Sequence, residues 1–154
     1  MEIIRGKADG KDCKIAIVMS LFNEFIGQKL LEGTLSGLKE HNVPQENIDV
    51  YKIPGAFELP VTADKLASLK KYDAIICLGA VIRGGTPHFE YVAGAANNGI
   101  LNVSLKYQLP VIFGVLTTDT VEQAVERADI KGGNKGRESS ITALEMIDLF
   151  RKLS

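Results

Sequence analysis

One loop of this sequence combines a turn that could bind an anion with a side chain that could carry a proton. Gly84–Pro87 follows the apolar run 74–82 and opens a helical pattern, and His88 comes next. Glycines between a buried strand and a helix, with Thr86 expected as N-cap and Pro87 as first helical residue, are typical of a phosphate site. Imidazole gives and takes protons near neutral pH. The loop predicts acid–base chemistry beside an anion, and the alternative is an ordinary glycine-rich turn.

Three other loops follow apolar runs that are predicted to be strands: 20–23, 54–58 and 117–119. Ligands of parallel sheets collect at the carboxyl ends of the strands, so all of these loops are candidates for one site. Phe22 could be a stacking platform or a packing residue. Glu58 could bind substrate, or it could simply complement the dipole at a helix start.

The remaining charged and sulfur-bearing residues give weaker signals. Arg127 and Lys135 lie in or near a late break in the pattern at 132–136, where solvated surface charges are the default. Cys13 and Cys77 are far apart and show no CxxC spacing, so neither is predicted to be a nucleophile. Histidines and cysteines scattered singly predict no transition-metal site.

Apolar runs alternate with helical stretches along the whole chain, and this alternation predicts the elements that must position the loops. Strands are predicted at 14–19, 49–53, 74–82 and 111–116, and helices at 24–41, 57–69, 88–107, 121–128 and from the break at 132–136 to 153. The pattern favours an α/β fold, a flavodoxin-like three-layer sandwich. Its four-stranded parallel core sheet would have helices on both faces, in a single domain over 1–154.

The segment Met1–Arg5 belongs to no strand–helix unit, although it carries Ile3 and Ile4. Two ordinary interpretations are a frayed terminus and an edge strand of the chain's own sheet. A third is a strand added to the sheet of a neighbouring subunit, which would bury both isoleucines through backbone pairing.

Composition excludes several classes of protein. The chain has 154 residues, 45% hydrophobic and 24% charged, with a formal net charge of −1. Such a charge gives no field for nucleic acid. No apolar run approaches the ~20 residues that span a bilayer, and the N-terminus lacks a signal-peptide layout. We therefore expect a cytoplasmic globular protein without nucleic-acid or membrane partners.

Several segments in this order and spacing resemble the lumazine synthase family. They are 22–23, 50–58 with its Pro-Gly-Ala-Phe-Glu core, 79–88 with Arg-Gly-Gly-Thr-Pro-His, 110–118, 122–127 and 133–136. The resemblance covers essentially the whole chain. It implies the penultimate step of riboflavin biosynthesis: 5-amino-6-ribitylaminouracil condenses with 3,4-dihydroxy-2-butanone 4-phosphate to 6,7-dimethyl-8-ribityllumazine, releasing phosphate and water. It implies no metal and no organic cofactor, because the substrate's own amine forms the imine.

The resemblance also implies a role for individual residues. His88 becomes the catalytic proton carrier, and the substrate-binding residues are Phe22, Asn23, Ala56, Phe57, Glu58, Ala80, Val81, Ile82, Gly85, Thr86, Phe113, Arg127 and Lys135. Phe22 would stack on the pyrimidine, and Gly85 and Thr86 would hold the phosphate together with Arg127. Relatives build the site between adjacent subunits, so Phe113 and Lys135 would come from a neighbour.

Assembly and activity leave alternatives open. The family forms homopentamers, decamers or hollow 60-subunit shells, and the short break at 131–135 leans toward the shell; riboflavin synthase is a candidate partner. The chain departs from its relatives at Leu21, where Arg is usual, at Asp129 beside Arg127, and across 93–98. These departures keep a second hypothesis open, a non-catalytic assembly protein that binds flavin or lumazine. A response-regulator-like domain fits poorly, because Asp73 precedes its strand rather than ending it.

Overall fold

A four-stranded parallel sheet forms the centre of the molecule in a computed structural model that describes residues 1–154. Its strands are β1 (Ile15–Ser20), β2 (Ile48–Ile53), β3 (Ala74–Ile82) and β4 (Val111–Thr118), in the spatial order β2-β1-β3-β4. β1 and most of β3 are fully buried, which is why they consist of nearly continuous apolar residues rather than alternating ones. β2 and β4 lie at the edges.

Five helices connect and follow the strands: α1 (Glu24–Glu40), α2 (Leu59–Ser68), α3 (His88–Tyr107), α4 (Val121–Ala128) and α5 (Lys135–Leu153). Short 3₁₀ turns at Gln45–Asn47 and Ala56–Glu58 precede β2 and α2. α4 begins with a capping box, in which Thr120 and Gln123 satisfy each other's backbone N–H groups. None of the helices combines the length and the apolar character that a membrane span requires.

The helices form one layer on each face of the sheet. Consecutive residues of β3 point to opposite sides, so that Ile76 joins a core cluster with Leu30 of α1, whereas Ile75 joins one with Ile100 of α3. The first cluster lies beneath α1, α4 and α5, and the second beneath α2 and α3. The predicted flavodoxin-like three-layer α/β sandwich with four parallel strands is confirmed.

The predicted element boundaries are mostly confirmed: most ends agree within one residue, and the end of β4 and the start of α2 differ by two. β3, α3 and α4 have the predicted bounds. β4 is longer than predicted, because Thr117 and Thr118 continue the ladder beside Val81 and Ile82. The helix predicted from Phe57 begins at Leu59 instead, since residues 56–58 form a 3₁₀ turn first.

The start of α3 corrects one expectation about the glycine loop. The helix begins at His88 with Pro87 at its N-cap, so Thr86 is not the N-cap and Pro87 is not the first helical residue. The Thr86 hydroxyl still accepts a long hydrogen bond of 3.4 Å from the His88 N–H. The N-cap therefore lies one residue later than the sequence pattern indicates.

The N-terminal segment forms no strand of the chain's own sheet, so that interpretation is wrong. Its last residue and the residues just after it run along α5: the Lys7 N–H donates to Asp148 at 2.7 Å, and Lys152 donates to the Arg5 carbonyl at 2.9 Å. Ile3 is 83% exposed and Ile4 is 49% exposed. Two apolar side chains are thus left uncovered by the chain itself.

Candidate functional site

A cleft of about 500 Å³ opens at the carboxyl end of the sheet, on the face that α2 and α3 cover. This is the position at which ligands of open parallel sheets bind. Its walls are mainly apolar, with one carboxylate and one imidazole among them. The lining residues are Phe22, Pro54, Gly55, Ala56, Phe57, Glu58, Ala80, Val81, Ile82, His88, Phe89, Tyr91 and Val92.

Neighbouring strand ends bring these residues together. β1 ends before Phe22, whose N–H donates to the Pro54 carbonyl at 3.1 Å, and this bond ties the first loop to the second. The turn Ala56–Glu58 then presents Phe57 and Glu58 at the start of α2. The end of β3, Ala80–Ile82, forms the wall between that turn and α3. The loops after β1, β2 and β3 therefore converge as predicted, whereas no residue of the fourth candidate loop, 117–119, lines the cleft.

The glycine loop forms the rim of the cleft beside His88. Gly84, Gly85 and Thr86 are exposed, and their backbone N–H groups donate to no group of the chain. No atom lies within 4 Å of the position that a side chain would take at Gly84 or Gly85. Free N–H groups ahead of a helix N-terminus suit a phosphate. Gly85 and Thr86 lie at the rim rather than among the lining residues.

Asn23 lies beside the cleft but its side chain serves the fold. The residue adopts a left-handed conformation (φ 59°) between β1 and α1, which asparagine tolerates better than most residues. Its Nδ2 donates to the Ala80 carbonyl at 3.2 Å and so fixes the end of β3 against the first loop. The amide nitrogen of Asn23 is thus already used within the chain, whereas its amide oxygen has no partner there.

The structure does not bring Phe113, Arg127 and Lys135 to the cleft of the same chain. Phe113 lies half-buried on edge strand β4 opposite Cys77, whereas Leu116 is the residue opposite Ala80. Arg127 lies in the last turn of α4 and Lys135 begins α5, both in the layer on the other face of the sheet. Arg127 is exposed, and Lys135 pairs with Glu138 at 3.3 Å.

The cleft also contains residues that the sequence interpretation did not select. Pro54 and Gly55 belong to a segment already noticed, but Phe89, Tyr91 and Val92 lie among the first five residues of α3. A helix that begins at a ligand loop presents the side chains of its first turn to the same space. That signal, the apolar residues directly after His88, was available in the sequence.

Charge near the loop is concentrated on Arg83, the last residue before the glycines. Its Nε donates to Asp119 at 2.8 Å, and its Nη1 donates to Glu90 in the first turn of α3. The Arg83 guanidinium therefore holds the pKa of the Glu90 carboxyl below its usual value, chiefly through the hydrogen bond between them. Away from this loop, the buried core residue Cys77 on β3 carries no charge, because burial raises the pKa of its thiol to about 12.

Residues 12–151 match the family described as 6,7-dimethyl-8-ribityllumazine synthase. The matched part includes all four strands, all the residues that line the cleft and the glycine loop. The apolar cleft at the strand ends, the carboxylate and the imidazole thus lie within the matched region. The chain belongs to the 6,7-dimethyl-8-ribityllumazine synthase family, and it is a transferase of riboflavin biosynthesis.

Proposed function

We propose that the cleft binds 5-amino-6-ribitylaminouracil and 3,4-dihydroxy-2-butanone 4-phosphate together, with His88 as the proton carrier between them. One observation carries the proposal: a single apolar cleft has aromatic residues and a carboxylate on one side, and an imidazole beside unpaired backbone N–H groups on the other. A flat ring with hydroxyl groups and a small phosphorylated ketone require these two different sides.

The pyrimidine would bind on the side of Phe22 and Phe57. Both rings are largely exposed, at 71% and 62%, so each offers a face to a planar ligand. Glu58 is partly exposed at the start of α2, where its carboxylate can accept hydrogen bonds from ribityl hydroxyls or uracil N–H groups. Backbone groups of Ala56 and the apolar end of β3 would complete this side.

The phosphate would bind at the glycine loop, through the backbone N–H groups of Gly85 and Thr86 and the Thr86 hydroxyl. Neutral donors hold a phosphate better when a cation is also present, and a guanidinium provides a planar pair of donors for it. Arg127 is the residue that we propose for this role, with Lys135 at the rim. Both lie in the other helical layer of the chain, so a second copy would have to supply them.

His88 would move protons at the loop end of the cleft. The substrate amine attacks the ketone carbon, a C–N bond forms, and water leaves as the imine forms. Elimination of phosphate and closure of the second ring then require further proton transfers. Positioned acid–base catalysis contributes roughly 10²–10⁴-fold, and holding two substrates in contact supplies much of the rest.

Exposed apolar residues support assembly into a homopentamer with sites between subunits. Tyr91 is 73% exposed, Val61 68% and Leu105 67%, all on α2 or α3. Large apolar side chains exposed on neighbouring helices mark an interaction surface. Association of pentamers into a 60-subunit shell, contact with riboflavin synthase and a location in the cytoplasm are further parts of the proposal.

The test mixes both substrates and follows lumazine formation by absorbance, with no metal or cofactor added. We expect His88→Ala to lower turnover by roughly ten- to a thousand-fold, with assembly retained. His41→Ala is the matched control, because His41 lies at the end of α1 and its Nδ1 bonds to the Gly37 carbonyl at 2.7 Å. Turnover that is unchanged in His88→Ala would remove the proposed role.

A further inference from the structure

Arg83 joins three parts of the chain that meet at the rim of the cleft. Besides its bonds to Asp119 and Glu90, its guanidinium carbon lies 4.4 Å from the centre of the Phe89 ring, within the range of a cation–π contact. Its backbone N–H donates to the Thr118 carbonyl at 2.8 Å. The residue therefore connects the end of β3, the first turn of α3 and the corner between β4 and α4.

The corner that receives Arg83 is itself fixed. The side-chain oxygen of Gln123 accepts the N–H of Asp119 at 2.9 Å and that of Thr120 at 3.3 Å. The Thr120 hydroxyl accepts the N–H of Gln123 in return, at 3.1 Å. This capping box holds Asp119 just before α4. The hydrogen bond from Arg83 to Asp119 therefore anchors Arg83 to a rigid element.

The glycine loop, by contrast, has almost no packing of its own. Gly84 and Gly85 have open space around them, and Gly84 to His88 are all exposed. What fixes this loop must therefore act at its two ends. Arg83 stands at one end, and its contacts with Phe89 and Glu90 hold the other end, directly after His88.

Arg83 does not qualify as the phosphate-binding cation itself. Two of its donor positions are occupied by carboxylates, and the two negative charges offset its positive charge. These partners also raise the pKa of Arg83, chiefly through the hydrogen bond to Asp119. A phosphate would have to displace a carboxylate to reach the guanidinium, which argues for a holding role.

We propose that Arg83, held by Asp119, is a positioning residue that sets the distance between the phosphate loop and His88. The proposal rests on the proposed function of that loop as the phosphate site. The contacts of Arg83 with Asp119, Glu90 and Phe89, which together form a clamp, keep the N–H groups of Gly85 and Thr86 aligned before substrate binds. Binding therefore does not have to order them. Arg83 contacts neither substrate.

The experiment compares steady-state constants for the two substrates in Arg83→Ala. We expect the KM for the phosphorylated ketone, and the inhibition constant of inorganic phosphate, to rise roughly ten-fold, while the KM for the pyrimidine stays within about two-fold. Arg83→Lys, which retains the charge without the two-armed geometry, should recover part of the loss. Asp119→Asn should change the constants in the same direction but less.

Lys106→Ala is the matched control. Lys106 lies in the last turn of α3, the helix whose first turn Arg83 contacts. It pairs with Asp64 at 3.1 Å and lies 5.0 Å from the centre of the Tyr107 ring, so it makes the same kinds of contact far from the glycine loop. We expect it to leave both substrate constants unchanged. A selective effect in Arg83→Ala and none in Lys106→Ala supports the proposal.

Two results would overturn the positioning role. One is unchanged phosphate constants in Arg83→Ala. The other is an equal rise of both KM values with a lowered melting temperature, which indicates a merely structural role. If Arg83→Ala fails to assemble, Asp119→Asn decides by the same criteria. His88→Ala in the same assay separates the proposals, because its normal turnover would contradict the site itself, whereas a loss there with normal Arg83→Ala constants contradicts only the clamp.

Discussion

At the scale of single residues, accessibility separates the side chains that can meet substrate from those that cannot. His88, Phe22 and Phe57 are exposed at the cleft, whereas both thiols of the chain are buried. His88 could be recognised in the sequence because its loop has a local pattern. The bond from Asn23 to Ala80 could not, because it depends on two segments that meet only in the folded chain.

The buried thiols give a prediction at this scale. Burial raises the pKa of Cys77 to about 12 and also raises that of Cys13, so at pH 8 each thiol carries less thiolate than an ordinary cysteine. We expect a disulfide reagent such as DTNB to titrate neither cysteine in the native enzyme at pH 8, and both after denaturation. Rapid reaction of a thiol in the native enzyme would contradict the assigned burial.

At the scale of elements, the sequence predicts what local patterns determine. β3 and α3 have the predicted bounds because a continuous apolar run and a glycine–proline turn mark them, although the N-cap of α3 is Pro87 rather than Thr86. The predicted start of α2 is wrong, because a 3₁₀ turn and the first turn of an α-helix have similar sequence patterns. The path of the N-terminal segment along α5 was not predictable, because its hydrogen bonds are made to residues more than a hundred positions away.

The joint between α4 and α5 gives a prediction at the element scale. Asn134 is 3% exposed, its Nδ2 donates to the carbonyls of Lys29 and Ala128, and its Oδ1 accepts the N–H of Arg137. Asn134→Ala leaves these buried groups unpaired, so we expect a loss of about 2–4 kcal/mol in stability.

Thr120→Ala provides the comparison for this prediction. It removes an exposed cap, and we expect it to cost about 1 kcal/mol. Chemical denaturation of both variants measures the two losses. A loss in Asn134→Ala no larger than that in Thr120→Ala would show that the buried bonds contribute little.

At the scale of the whole molecule, the sheet separates two groups of proposed site residues. The cleft with His88 lies on the side of α2 and α3, and Arg127 and Lys135 lie in the layer of α4 and α5. Sequence order alone does not reveal such a separation, because it does not show which face of the sheet each helix covers. The family resemblance implies a site between subunits, and this stays a prediction; within one chain, Phe113 and Lys135 lie away from the cleft.

A subunit-mixing measurement tests this shared site most directly. His88→Ala and Arg127→Ala chains are mixed at equal amounts, dissociated and reassembled. They are assayed at limiting phosphorylated ketone, where we expect Arg127→Ala to be weakest because loss of a phosphate-binding cation should raise its KM. If His88 and Arg127 come from adjacent subunits, about a quarter of the sites regain both residues. We predict activity well above the mean of the two separate variants. Activity equal to that mean would contradict a site completed by a neighbouring subunit.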